Sequence, residues 1–95
     1  MEFKVLISPR ALEELEEALE YYSEIPTALK AFSLAFDNSL STLSTNPYFE
    51  VRYKNVRALP IEKFPYLIFF TVDEAIKLVH IRSVFNTYQN PVKYP

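Results

Sequence analysis

The 95-residue chain has no cysteine, no glycine and no tryptophan, and its single histidine is His80. Without cysteine, neither a disulfide framework nor a thiolate metal site can form, so a reducing cytoplasm suits the chain. Without glycine, we expect no phosphate-cradling loop and no nucleophile elbow, because these turns need positive φ angles and close backbone approach. A metal site usually needs several histidine or cysteine ligands, and this chain offers a single histidine. We therefore expect His80 to be structural and predict neither a metal nor a cofactor.

Long hydrophobic runs are also missing. The longest one, from Tyr66 to Phe70, is far shorter than the ~20 residues that a membrane helix needs. The sequence shows no charged-then-apolar leader. We therefore expect a soluble cytoplasmic protein that does not bind membranes. The length fits one domain, residues 1–95, and the seven tyrosines and eight phenylalanines give its small core much of its bulk.

Charge divides the chain into an acidic half and a basic half. Residues 1–46 hold three basic and eight acidic residues, whereas residues 47–95 hold seven basic and four acidic ones. Clustered cations can bind phosphates or the carboxylates of an acidic partner segment. The candidate residues for binding a partner are Arg52, Lys54, Arg57, Lys63 and Arg82. The alternative interpretation is that Arg52 and Lys54 are solvated charges that protect a sheet edge from aggregation.

The acidic half predicts a strand followed by a helical hairpin. Apolar and polar residues alternate from Glu2 to Ser8, and Ser8-Pro9 is typical of a helix start. We expect the first helix to end near Ser23 and to bury a stripe formed by Leu12, Leu15, Leu19 and Tyr22. A second stripe consists of Leu29, Phe32, Phe36, Leu40 and Leu43 and ends before Asn46-Pro47. The short connection makes the two helices antiparallel, and their stripes need a sheet beneath them.

The basic half predicts that sheet. Its strands are expected at Asn55 to Ile61, Tyr66 to Val72 and Ala75 to Phe85, with short turns between them. The element order is then β-α-α-β-β-β. We predict an α+β fold in which the helical hairpin packs on a curved antiparallel sheet of four strands. The strand that begins at Tyr66 is apolar on both sides and should be central.

Several short motifs resemble those of the RelE/ParE toxin family over nearly the whole chain. They are Ser8-Pro9, Tyr21-Tyr22, the run Arg52-Tyr53-Lys54-Asn55-Val56-Arg57, Leu59-Pro60, Lys63-Phe64-Pro65-Tyr66 and Phe70-Thr71-Val72-Asp73-Glu74. The resemblance implies the toxin of a type II toxin–antitoxin pair. It also implies a cognate antitoxin as the partner.

The chain departs from the family's ribonucleases at the positions that carry their chemistry. Those enzymes place one basic residue at the start of the third strand and another just beyond the fourth, where they hold the scissile phosphate. Here Tyr66 occupies the first position and Asn86 or Thr87 the second. The basic tail is also reduced, and we expect residues 86–95 to be extended or loosely docked. The resemblance is therefore closer to the ParE branch, whose members lack a catalytic constellation and trap DNA gyrase.

Two other functions stay open at this point. One is a ribosome-dependent mRNA endonuclease, with Arg57 or Arg82 as phosphate ligand and Tyr88 or His80 as acid or base. The other is an inactive or orphan toxin-fold protein. Whether the chain forms a homodimer is also open. Glutamates one turn apart in the first helix, such as Glu13 and Glu17, are interpreted as a solvated face rather than a catalytic pair.

Overall fold

The computed structural model describes residues 2–88. The elements are β1 (Lys4–Ile7), α1 (Pro9–Tyr22), α2 (Pro26–Thr45), β2 (Val51–Tyr53), β3 (Val56–Pro60), β4 (Tyr66–Asp73) and β5 (Leu78–Asn86). The strands form one sheet in the order β1-β5-β4-β3-β2. The predicted α+β fold with a helical hairpin is confirmed. Most of the tail, residues 89–95, lies outside the described residues.

The sheet differs from the expected one in two ways. A short additional strand, β2, pairs antiparallel with β3, and Arg52 is the extra residue of a bulge between Val51 and Tyr53. β1 pairs with β5 in parallel, so the sheet is mixed rather than wholly antiparallel. A parallel pair needs a long connection. Here all the elements between β1 and β5 provide it.

Three turns contain a lysine with a positive φ angle. The angles are 49° at Lys54, 70° at Lys63 and 53° at Lys77. The left-handed region costs a non-glycine residue roughly 1–2 kcal/mol, so lysine takes over the role that glycine usually fills. The turn expected at Asp73-Glu74 is longer than predicted, since Asp73 pairs with Leu78 and β5 begins only there.

α1 follows the predicted stripe at Leu15, Leu19 and Tyr22, which lie in or against the core, but not at Leu12. Ala11, Leu15 and Ala18 are buried, whereas Leu12 is 47% exposed. Ala11 and Ala18 lie three or four residues from Leu15, as Leu12 and Leu19 do, and their small side chains let the helix backbone lie close to the sheet. The Ala11 amide donates to Ser8 Oγ at 3.1 Å, which confirms the predicted helix start. α2 buries Phe32, Phe36 and Leu43, as predicted.

β4 is buried on both faces, as expected for a central strand. On the face toward the helices, Ile68 and Phe70 join the main core. On the other face, Leu67 and Phe69 pack with Ala58, Phe85, Tyr53 and Val56. Within residues 2–88, neither helix is long and apolar enough to cross a membrane.

Candidate functional site

The five basic residues predicted to bind a partner do not share one site. Arg52 lies in the β2 bulge, Lys54 in the following turn and Arg57 on β3. Lys63 lies beyond the opposite end of β3, and Arg82 is on β5. Only the first three are neighbours, on the β2–β3 hairpin. We call Arg52, Lys54 and Arg57 the basic edge.

Arg57 is half-buried and holds the connection between α2 and β2 against the sheet. Its Nη1 donates to the Phe49 carbonyl at 2.7 Å, and its Cζ lies 5.6 Å from the centre of the Tyr48 ring. The Tyr48 hydroxyl donates to Glu74 Oε1, and this hydrogen bond raises the pKa of Tyr48. Arg52 and Lys54 are exposed and have no ion pair among the described residues. They are the hairpin cations that remain available to a partner.

Arg82 is the extra residue of a second bulge, because Phe69 pairs with Ser83 while Phe70 pairs with Ile81. Its Nε donates to Thr71 Oγ1 at 3.2 Å. His80 lies nearby, and burial and the Arg82 cation lower its pKa, so the imidazole is neutral at pH 7. Over residues 2–88, no three acidic or histidine side chains come close enough to hold a metal ion.

A cavity of about 510 Å³ lies between α1 and the place where β4 begins and β5 ends. We call it the tyrosine pocket. Its lining consists of Glu14, Glu17, Ala18, Tyr21, Tyr22, Pro65, Tyr66, Val84, Asn86 and Tyr88. The volume is in the range of ligand sites. Among residues 2–88, no lysine and no arginine line this pocket.

The tyrosine pocket brings together the two positions that are basic in the family's ribonucleases. Tyr66 opens β4 and Asn86 closes β5, and the two residues pair directly in the β4–β5 register. Both are uncharged. Tyr88 lines the same pocket, but Arg57 and Arg82 do not. The structure therefore does not bring Tyr88 together with Arg57 or Arg82. His80 and Arg82, the other pair that an endonuclease could use, line a separate cavity.

Two glutamates of α1 face this pocket. Glu14 Oε1 accepts from Ser83 Oγ at 2.7 Å and from the Val84 amide at 3.0 Å, which ties α1 to β5. Glu17 is exposed and has no ion pair within residues 2–88. The sequence did not distinguish these two from the other glutamates. They are three residues apart and so share one side of α1, but Glu13 and Glu16 have the same spacing, so no sequence signal marks this pair.

The inner tyrosines of the pocket, Tyr22 and Tyr66, both have a raised pKa. Desolvation is the main cause that raises the pKa of Tyr22 and of Tyr66, and neighbouring tyrosines add to both shifts. The Tyr22 ring packs 5.2 Å from Phe32 and 5.3 Å from Phe64, measured between ring centres. Of the Tyr21-Tyr22 pair, Tyr22 therefore belongs partly to the core, whereas Tyr21 is 75% exposed.

The site thus lies on a helical hairpin packed on a mixed sheet, with uncharged residues at the paired positions Tyr66 and Asn86. The family model of the ParE toxin of the type II toxin–antitoxin system parDE matches residues 5–90. The chain therefore belongs to the ParE toxin family, which confirms the resemblance seen in the sequence.

Solved structures agree with this fold. A chain of the chromosomal ParDE TA system from P. aeruginosa is similar with a TM-score of 0.73 and 19% identity, over 88% of this chain and 95% of that one. A chain of the YoeB dimer from Staphylococcus aureus has a TM-score of 0.59 and 16% identity, over 88% and 95% of the two chains. No curated protein sequence matches the chain.

Proposed function

We propose that this ParE-family protein is a toxin that inhibits growth by binding a cellular target of the gyrase type, and that a cognate antitoxin neutralises it. The observation that carries the proposal is the Tyr66–Asn86 pair. A ribonuclease of this fold needs cations there to stabilise phosphate charge. Glu14 and Glu17 stand beside the pair instead, and carboxylates repel a phosphate.

The candidate catalytic side chains support binding rather than bond cleavage. Arg57 is engaged by the Phe49 carbonyl and Arg82 by Thr71. Tyr88 is 85% exposed at the mouth of the tyrosine pocket. A general base must have its pKa near the working pH, and the raised pKa of Tyr66 makes it a poor base.

A groove between α2 and the β3–β4 turn fits an antitoxin segment. The cavity there measures about 350 Å³, and its apolar lining includes Leu34, Leu59 and Phe64. Leu34 is 59% exposed, so the groove offers an apolar anchor site to a partner. Lys63 stands at its rim. We propose that acidic residues of the same segment pair with Lys63 and with the basic edge.

Growth measurements test the proposal. Expression of the chain alone should arrest growth, and co-expression of the neighbouring reading frame should restore it. Purified protein should also inhibit DNA supercoiling by gyrase. Unaffected growth at high expression would contradict the toxin function.

Two outcomes identify the alternatives. Message cleavage at the ribosomal A site that Arg57→Lys and Arg57→Ala both abolish would indicate an endonuclease. An inert protein that gains toxicity when Asn86→His and Gln89→Arg restore the basic tail would indicate a decayed toxin. No gain from that double variant counts against decay.

A further inference from the structure

We infer that the tyrosine pocket binds a positively charged side chain, arginine above all, presented by a protein partner. The inference rests on the proposed function, namely a toxin that acts by binding proteins. It adds a site of opposite charge to the basic edge, and it assigns that site a ligand chemistry.

The charge of the pocket favours a cation. Glu14 and Glu17 supply two carboxylates, and no basic residue of the described part of the chain lines the pocket. Glu17 has no ion pair within the described part of the chain. Glu14 Oε2 lies 3.7 Å from the Nε of Arg10, whose side chain is 53% exposed. Such an exposed contact is weak, so the pocket keeps negative charge for a ligand.

The aromatic lining favours a planar cation. Tyr21 and Tyr22 meet edge to face, with ring centres 5.1 Å apart and an angle of 79° between the ring planes. Tyr88 stands at the mouth of the pocket, where its amide donates to Asn86 Oδ1 at 2.9 Å. A guanidinium group stacks on tyrosine rings while its N–H groups reach carboxylates. A lysine ammonium matches the charge but not the stacking.

The side chain of Tyr66 independently favours a ligand that carries N–H donors. The side chain is only 7% exposed and lines the pocket, and its ring centre lies 5.5 Å from that of Phe32. Its hydroxyl forms no hydrogen bond with any residue from 2 to 88. Within residues 2–88, Tyr53 has the one fully buried side-chain oxygen without a partner, so the Tyr66 oxygen is accessible from the pocket. As a neutral phenol, its oxygen can accept an N–H from a ligand, which an apolar ligand would not provide.

A pair of small probes tests the inference. The first is N-acetyl-arginine methylamide, and the matched neutral probe is N-acetyl-citrulline methylamide, which has nearly the same shape. Amide chemical shifts of the isotope-labelled chain are followed during each titration. We expect the arginine probe to shift Tyr66, Val84 and Asn86, and the citrulline probe to leave them nearly unchanged. Equal shifts with both probes, or no shift with either, overturn the inference.

Variants locate the site. Glu17→Gln should weaken binding of the arginine probe about fivefold, because it removes the unpaired carboxylate. Tyr66→Phe, which removes only the hydroxyl, should weaken it about twofold to fivefold. Glu16→Gln makes the same charge change at an exposed position of α1 outside the pocket lining and should leave binding unchanged. An equal loss in Glu16→Gln would mean that overall charge, not the pocket, attracts the probe.

Growth arrest distinguishes this inference from the proposed function. Arrest by the wild-type chain without any arginine binding defeats the inference alone. Arginine binding by a chain that neither arrests growth nor binds an antitoxin defeats the proposed function alone.

Discussion

The tyrosine pocket and the basic edge carry opposite charges, but in both regions one charged residue is bonded within the fold and another is exposed. In the pocket, Glu14 is bonded to Ser83 and Val84, while Glu17 is left unpaired among the described residues. On the edge, Arg57 is bonded to the Phe49 carbonyl, while its neighbours on the hairpin point to solvent. Each region thus uses one charge to hold the fold and leaves another exposed and without an ion pair within residues 2–88.

The largest expected effect is the loss of the fold-holding charge in the pocket. Glu14→Ala should lower the free energy of unfolding by about 2–4 kcal/mol, because the fully buried Ser83 hydroxyl and the Val84 amide lose their acceptor. Urea unfolding measures this. Glu13→Ala, at an exposed position, should change stability by less than about 0.5 kcal/mol. Equal effects would show that Glu14 does not tie α1 to β5.

The corresponding change on the basic edge should have a smaller effect. Arg57→Ala should cost about 1–2 kcal/mol, because the Phe49 carbonyl loses its donor and Tyr48 its cation. Arg52→Ala should lie within about 0.5 kcal/mol of the wild type. The same urea experiment compares them. If Arg52→Ala proves as costly as Arg57→Ala, the two cations share a structural role.

The charges left for partners should affect binding instead of stability. Replacing Arg52 and Lys54 together by alanine should weaken antitoxin binding about threefold to tenfold and flatten its salt dependence, since exposed ion pairs are weak and screened. Calorimetry at two salt concentrations measures both. Lys4→Ala with Lys30→Ala removes the same charge at exposed positions elsewhere. Binding that is independent of salt in the wild type would indicate an apolar interface.

The smallest effect concerns His80, which belongs to neither region. Its pKa is lowered in the folded chain, so the unfolded chain binds the proton first as the pH falls. The stability from neutral His80 is present above its ordinary pKa of about 6.5 and is lost as the pH falls through the lowered folded value. Thermal unfolding at several pH values should show a slightly shallower acid-side decline in His80→Gln. A steeper decline in the variant would contradict this sign.

Local patterns predicted the helical hairpin, the Ser8 cap and the central position of β4, because each depends on residues close in sequence. They did not predict β2, whose three residues become a strand only by pairing with β3. They also predicted that Leu12 is buried and did not predict that Ala11 and Ala18 are. All three residues fit a helical period with Leu15, and only packing against β5 decides between them.

The candidate site was harder to predict than the fold. The sequence indicated that Tyr66 and Asn86 are uncharged. Their direct pairing depends on the register between β4 and β5, which joins residues 20 positions apart in the chain. The tyrosine pocket needs three elements to meet, and nothing in the local pattern of α1 marks Glu17 as different from Glu16. The turns with a lysine at positive φ were not predicted either, because glycine is the residue that normally indicates such turns.

The central claim is that this ParE-family chain acts by holding other proteins and breaks no bonds. Mapping of RNA 5′ ends in cells arrested by the wild-type chain tests it most directly, with a Tyr88→Phe strain analysed in parallel. The account predicts arrest with intact messages in the wild type. New 5′ ends at ribosomal A sites, present in the wild type and absent from Tyr88→Phe, would contradict it.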